Sequence, residues 1–391
     1  MSAATERVTR AFAHQAPDRT PLFEIFSPFH PIYWDIAGRN AATDAGMAWD
    51  AMADGIDPAE LFAMNVKAQY DVNKFFGVDM VRLNGAPGGR YTRPVKTGPT
   101  TWTLNGVKYH RDEKTDLVVL ENPAEESSYS HRYSEENLRR QIEAWDGAVP
   151  EYTGGEDPTI AAVRKFANAD GVEWTYMGEI GAGTGVAFYP PFMLMWMLDQ
   201  PDLVHRWIEM QKVNAWVGTR RLVESGCTVI AMGGDVSCDK GPFISPALYR
   251  EFILPVIKEH VDLIHELGAQ AIYTSDGNHW PIKQEFFFDS DIDGYKEVDQ
   301  AAGMTWPRLI DEGVAEKVCI VGNLDARYNL CHGTPAEVRT EVIGCLDYGR
   351  QTPGGHIIHA SHSVHEDMPV ENYYAAVAAY REYFGMEKLP C

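Results

Sequence analysis

The stretch Gln270-Ala-Ile-Tyr-Thr-Ser-Asp-Gly-Asn-His-Trp280 reads as a short buried strand that breaks into a polar turn. Ala271 to Thr274 is the strand, and Ser275-Asp276-Gly277-Asn278 is turn chemistry. A long amphipathic helix, Pro246 to Leu267, comes before it. Helix, strand and polar strand end make the repeating unit of an α/β barrel, in which catalytic groups stand at the C-terminal ends of strands. That places Asp276 at a catalytic position. An isolated Asp-Gly is more often only a turn, so the neighbouring units decide how this one is read.

They repeat it. Downstream lie a helix or loop near 281–289, then strand 292–298, helix 305–314, strand 317–322, helix 334–348, strand 355–360 and helix 369–384. Upstream, a helix opens at Asp157-Pro158 and runs to Ala167, followed by a strand from Val172 to Gly178. The buried helical run Phe192 to Leu198, a long helix from Pro201 to Ser225 and strand Cys227 to Met232 follow. Near the N-terminus a helix at 5–16 precedes strand Leu22 to Phe26, an aromatic, Pro-broken loop from Ser27 to Trp34, a helix from Met47 to Asp71 and a strand from Phe76 to Leu83. Strand–helix alternation gives a parallel sheet, and a count near eight favours a closed (β/α)8 TIM barrel. The glycine-rich run Gly181 to Gly185 has neither a GxGxxG with a distal acidic partner nor a GKS/GKT ending, so it is not read as a nucleotide loop.

Residues 84–135 differ in character. Trp102 to Tyr109 alternates around Asn105-Gly106, a strong hairpin signal. Asp116 to Glu121 adds a further extended run, 125–133 is polar, and Ser134 has the look of a helix N-cap. About 50 residues enclose little core, so this is a β excursion of a single domain spanning 1–391.

Composition narrows the function. Lys and Arg total 34 against 56 Asp and Glu, a formal charge of -22. Such a surface repels nucleic acid and anionic membranes. Six scattered cysteines, with no CxxC, suit reduced thiols in the cytoplasm. No apolar leader is expected at the N-terminus, and no apolar run is long enough to span a bilayer.

Polar residues collect at five strand ends. These are Asp235 after 227–232, Asp276 and Asn278 after 270–274, and Asp299 after 292–298. Asn323 and Asp325 follow 317–322, and Ser361, His362 and His365 follow 355–360. Converging on one rim, they would line a pocket of carboxylates, carboxamides and imidazoles. Like charges there raise each other's pKa, which is what acid–base work requires. His359, inside the strand, is expected to be structural. Neither HExxH nor a close HxH or HxC occurs.

Several stretches resemble the uroporphyrinogen decarboxylase superfamily, which includes the decarboxylases and the cobalamin- or coenzyme M-linked methyltransferases. They are Pro17-Asp-Arg-Thr-Pro21, Gly241-Pro-Phe-Ile-Ser-Pro246, Tyr249-Arg-Glu-Phe-Ile-Leu-Pro255, Ser275-Asp-Gly-Asn278 and Ala302-Gly-Met304. Val321-Gly-Asn-Leu-Asp325, Gly333-Thr-Pro-Ala-Glu-Val338 and Pro369-Val-Glu-Asn372 complete the set, in the family's order over about residues 160–385. The resemblance implies one (β/α)8 barrel with its site at the strand C-termini. It does not carry the thiolate zinc site of the methyltransferases. Where those enzymes have His-x-Cys and a further Cys, this chain has Thr274, Asp276 and, near the last strand, His362. Nor does it carry the Arg-rich propionate-binding segment of the tetrapyrrole decarboxylases. Phe29-His-Pro-Ile-Tyr-Trp34 stands there, with Arg39 further on. His362 falls near the position of a histidine in those decarboxylases.

The expectation is therefore a methyltransferase of O-demethylase type acting on a small methyl ether or methylamine. Methyl would pass to a corrinoid protein or a tetrahydrofolate-type acceptor. Asp276 and His362 are expected as an acid–base pair or as ligands of a divalent metal such as zinc, completed by His279 or Asp235. Asp235, Asn278, Asp299, Asn323 and His365 would orient the substrate, with Tyr273 and Trp280 as pocket walls. The alternatives are a cofactor-free decarboxylase or lyase and a non-catalytic binding subunit for a corrinoid protein. A homodimer is a further option.

Overall fold

The computed structural model describes residues 2–85, 91–121, 134–184 and 192–390. Eight parallel strands pair in chain order: β1 (Phe23–Glu24), β2 (Met80–Val81), β3 (Thr175–Gly181), β4 (Val229–Gly233), β5 (Gln270–Thr274), β6 (Gly294–Lys296), β7 (Cys319–Val321) and β8 (His356–Ile357). Parallel bridges Leu22–Ile358 and Phe26–Val364 bring the last strand back to the first. With helices around it, this is the (β/α)8 barrel that the alternation predicts.

The strands are buried on both faces, which explains their near-continuous apolar runs. Alternation sorts the side chains. Phe23, Met80, Met177, Val229, Ala231, Ile272, Cys319, Val321 and Ile357 form an interior cluster with Val8 and Ala11. Ile230, Met232, Ala271, Tyr273, Tyr295 and Ile320 belong to the larger core under the helices. Each buried Val, Ile or Met side chain contributes roughly 1.5–3 kcal/mol. The helix Ala3–Phe12 supplies Val8 and Ala11, and the Oγ of its N-cap Ser2 reaches Glu173 O, just before β3. It plugs the N-terminal end of the barrel and leaves the C-terminal end as the mouth.

The plug is clamped by Asp79, which precedes β2. Its buried carboxylate accepts from Arg7 (2.9 Å), from Arg19 (2.7 and 2.9 Å) and from Leu22 N (2.9 Å).

Several boundaries differ from the sequence reading. Strands are shorter, and the third runs from Thr175 to Gly181 instead of 172–178. The helix expected at 47–71 is two, Ala45–Asp54 and Pro58–Phe76. Gly55 ends the first in the left-handed conformation, and Asp57 caps the second ahead of Pro58. Because that helix runs through Phe76, β2 begins only at Met80. Part of the aromatic loop is itself helical, Ile32–Ala37. The helix read at 246–267 contains a π turn, Tyr249–Ile253, just before Pro255, which has no N–H for the regular ladder.

Within 84–135 the chain forms a four-stranded antiparallel sheet, Val95–Gly98, Thr101–Leu104, Val107–Arg111 and Val118–Leu120. Asn105 (φ 52°) and Gly106 (φ 83°) make its tight turn, both in the region a two-residue hairpin loop needs. Trp102 is buried beside Trp49, and its Nε1 donates to Asp50 Oδ1 at 3.0 Å. The sheet is thereby fixed to the helix Ala45–Asp54. The polar run 125–133 and Gly185 lie outside the described residues. No described helix is long and apolar enough to cross a membrane.

Candidate active site

The turn after β5 is built by one hydroxyl and one glycine. Ser275, fully buried, accepts from Val236 N (3.2 Å) and bonds His279 Nε2 (3.0 Å). Gly277 has φ 89°, and a Cβ there would meet backbone atoms of Ser237 and Cys238 at 2.9–3.0 Å. Only glycine fits so close to another backbone. The tight turn holds Asp276 at the mouth, with its side chain about one-third exposed.

Across the mouth, the segment after β8 brings His362. Its Nε2 lies 3.3 Å from Asp276 Oδ2, and its Nδ1 lies 3.1 Å from Ser361 Oγ. Burial pulls the imidazole pKa down. The hydrogen bond its ring donates to Asp276 and the charges of Glu297, Asp276 and Asp299 more than offset that, leaving it above its usual value. The pair expected from the sequence is thus within hydrogen-bond reach.

Asp299 joins them, placing one ligand atom from each of Asp276, Asp299 and His362 within 4.8 Å of the others. The donors are nevertheless engaged. Asp299 Oδ1 accepts from Ala301 N (2.9 Å) and Ala302 N (3.3 Å), and its Oδ2 accepts from Arg327 at 3.1 Å. An ion bound here would face a guanidinium already attached to its own ligand, and it would displace the Asp276–His362 bond. These residues do not fit a resident divalent metal.

Asp235 is exposed on the rim. Desolvation and the neighbouring charges of Asp276 and Glu297 raise its pKa. Beside it opens a cavity of about 500 Å³ lined by Arg82, Glu179, Gly233, Asp235, Thr274 and Glu297. Arg82 Nε donates to Glu179 Oε2 at 2.9 Å. Lys296, 1% exposed, donates to Glu297 Oε1 at 2.8 Å. Glu297 has φ 66°, uncommon for a residue with a side chain, and such outliers gather at functional sites.

The other expected site residues are occupied elsewhere. His279 is fully buried between Ser275 and Tyr295, and burial pushes its pKa down to about 3. It packs on Phe286 and is no metal ligand for this mouth. Asn323 is fully buried, and its Nδ2 donates to Met304 O at 3.1 Å, so it braces the wall instead of the substrate. Asn278 Oδ1 accepts from Trp280 N (3.1 Å) and its backbone N donates to Cys238 O (2.9 Å), which makes it a turn residue. Trp280 Nε1 donates to Gly303 O (2.9 Å), and Arg308 covers its ring at 4.2 Å. Tyr273, 1% exposed, bonds Gly234 O at 3.1 Å beneath the mouth loop. His365 contacts Cys331 Sγ at 3.7 Å and accepts from Asp367 N, away from His362. Asp325 caps the turn Ala326–Leu330 that carries Arg327. His359 is buried, with Nδ1 2.8 Å from Glu24 Oε1 but off the line of a hydrogen bond.

Arg82, Glu179, Lys296, Glu297 and Arg327 were not expected. Arg82 lay within the run read as a strand, and reading 292–298 as one strand hid Lys296 and Glu297. A signal was available: a charged residue on the inward parity of a barrel strand, as at Arg82, Glu179 and Lys296.

Comparison with known proteins gives a consistent frame. A family model described as uroporphyrinogen decarboxylase (URO-D) matches residues 142–383. The uroporphyrinogen decarboxylase of Actinobacillus succinogenes is 36% identical over 237 residues, 59% of this chain and 60% of that protein. That of Vibrio campbellii is 27% identical over 241 residues, 57% and 62% of the two chains. The match thus spans about three-fifths of these relatives' length. Over 96% of this chain and 97% of its own, the Xanthomonas euvesicatoria enzyme is 24% identical. In fold the chain is similar to a methyltransferase from Methanosarcina mazei, with a TM-score of 0.63 and 18% identity over 97% of this chain and 99% of that one.

Proposed function

This chain belongs to the uroporphyrinogen decarboxylase family, and from that premise we propose that it is a methyltransferase that takes methyl from a small methylated amine or ether at the barrel mouth. The observation that carries the reading is the Asp276–His362 pair at 3.3 Å, with the imidazole pKa raised. In the transfer, the carbon–heteroatom bond breaks with its electron pair going to the heteroatom. An ether oxygen or a neutral amine nitrogen needs a proton as it leaves, and His362 Nε2 holds one at the mouth. Asp276 orients the ring and stabilises the imidazolium. A corrinoid or folate-type acceptor supplies the electron pair that forms the new bond to carbon. The cavity of about 500 Å³ is of a size for the donor, so a corrin macrocycle would meet it from outside. The setting proposed is the cytoplasm, in keeping with the free thiols among the described residues.

Decarboxylation is the second reading, favoured by the names of the matched relatives. A polycarboxylate would need free cations, yet Arg82 is paired with Glu179 and Arg327 with Asp239 and Asp299. Arg39 is paired with Asp44 and lies 4.0 Å over the Trp34 ring.

The test is a panel of methylated amines and aryl methyl ethers, with free cob(I)alamin as acceptor and methylcobalamin as readout. Methyl transfer that falls by about 10²–10⁴ in His362→Ala, with the variant still folded, is the expected result. Carbon dioxide release from uroporphyrinogen without any methyl transfer would overturn the reading.

A further inference from the structure

The charges at the mouth are unevenly balanced. Among the described residues, the cationic side chains there already have carboxylate partners: Arg82 with Glu179 (2.9 Å), Lys296 with Glu297 (2.8 Å) and Arg327 with Asp299 (3.1 Å). His362 bonds Asp276. Asp235 lines the same cavity, and the favourable interactions it has are a backbone hydrogen bond from Asp276 and the nearby charge of His362, itself bonded to Asp276. A second observation is independent of charge. Thr274 lines this cavity, is only 4% exposed, and its Oγ1 has no hydrogen-bond partner. It follows Ile272 of the barrel interior by two residues, so it shares the inward parity. A buried hydroxyl left unbonded costs free energy until a ligand meets it.

We propose that the mouth binds an organic cation, a methylated ammonium compound, with Asp235 as counter-charge to its nitrogen and the Thr274 hydroxyl as hydrogen-bond partner for a polar group the cation carries. This rests on the methyl-transfer reading and chooses the amine arm over the ether arm. An ammonium nitrogen leaves as the neutral amine and needs no proton from His362, and a carboxylate-rich rim favours the charged form of the donor. Low-dielectric walls strengthen the attraction, and the chain's charge of -22 steers cations toward it. Desolvation is the larger cause of the raised Asp235 pKa, the charges of Asp276 and Glu297 add to it, and an arriving cation offsets those charges.

Isothermal titration calorimetry with chelator present tests this. The probes are choline, its neutral isostere 3,3-dimethylbutan-1-ol, and benzoate. Choline is expected to bind at least about tenfold more tightly than the neutral isostere. The advantage should weaken with salt and be lost in Asp235→Asn. Glu297→Gln, which leaves Lys296 unpaired beside the cavity, should weaken choline binding independently. Equal binding of choline and its isostere, a preference for benzoate, undiminished binding by a folded Asp235→Asn, or binding seen only after a divalent ion is restored would each overturn the proposal. The two readings separate cleanly. Choline binding without transfer from any donor supports the cation site and removes methyl transfer. Transfer from neutral ethers with no cation preference does the reverse.

Discussion

His362 carries two opposing pulls. Burial favours the neutral ring, while Asp276, Glu297 and Asp299 favour the charged one, and the charges prevail. Removing the Asp276 charge in Asp276→Asn should lower the imidazole pKa. If His362 acts as the acid, activity is present below that pKa and is lost as pH rises through it. The basic limb of the pH–rate profile should then move to lower pH in Asp276→Asn. An unmoved limb would separate the pair from the chemistry. The same shift affects stability. A folded-state pKa above the usual 6.5 contributes stability that is complete below 6.5 and lost as pH rises through the folded value. Asp276 and His362 were legible in the sequence because each lies just past a strand in a turn too short to hide it. His279 and Asn323 were misread for one physical reason. A residue after a strand can turn back under the loop as easily as out into the mouth, and sequence parity fails once the strand ends.

At the scale of the element, the turn after β5 depends on Gly277. Gly277→Ala would set a Cβ 2.9–3.0 Å from the backbone of Ser237 and Cys238 at φ 89°. Strain of about 1–3 kcal/mol is expected, read as a lower denaturation midpoint, with Asp276 displaced and activity reduced. An unchanged midpoint would mean that the two loops are not pressed together. Element type was legible throughout the barrel half, because buried parallel strands and amphipathic helices differ in pattern. Element ends were not. β6 to β8 have only two or three ladder residues each, although the apolar runs around them are longer, since those runs also pack the loops. π turns at Tyr249–Ile253, Gln284–Phe288 and Ala326–Leu330 leave no periodic signature. The last of them delivers Arg327 to Asp299, so one unreadable turn concealed a site residue.

At the scale of the whole molecule, the barrel is tied shut at one end and charged at the other. Asp79 holds Arg7, Arg19 and the backbone of Leu22, so Asp79→Ala leaves the Arg19 guanidinium without a carboxylate and Arg7 with Asp18 alone. A loss of about 3–5 kcal/mol is expected from breaking a buried pair, measured by chemical denaturation. A loss below about 1 kcal/mol would show that the clamp is dispensable. At the mouth, protein purified without chelator should hold far less than one divalent ion per chain, because Arg327 and the Asp276–His362 bond already use the donors. A stoichiometric ion that disappears in His362→Ala would reverse that assignment. The chemistry at the mouth turns on the ionisation of one ring. The most direct measurement is an NMR titration of His362 in the native protein and in Asp276→Asn. A pKa above 6.5 is expected in the native protein, with a clear fall in the variant. A native value below 6.5, or one that Asp276→Asn leaves unchanged, would contradict the acid assigned to the barrel mouth.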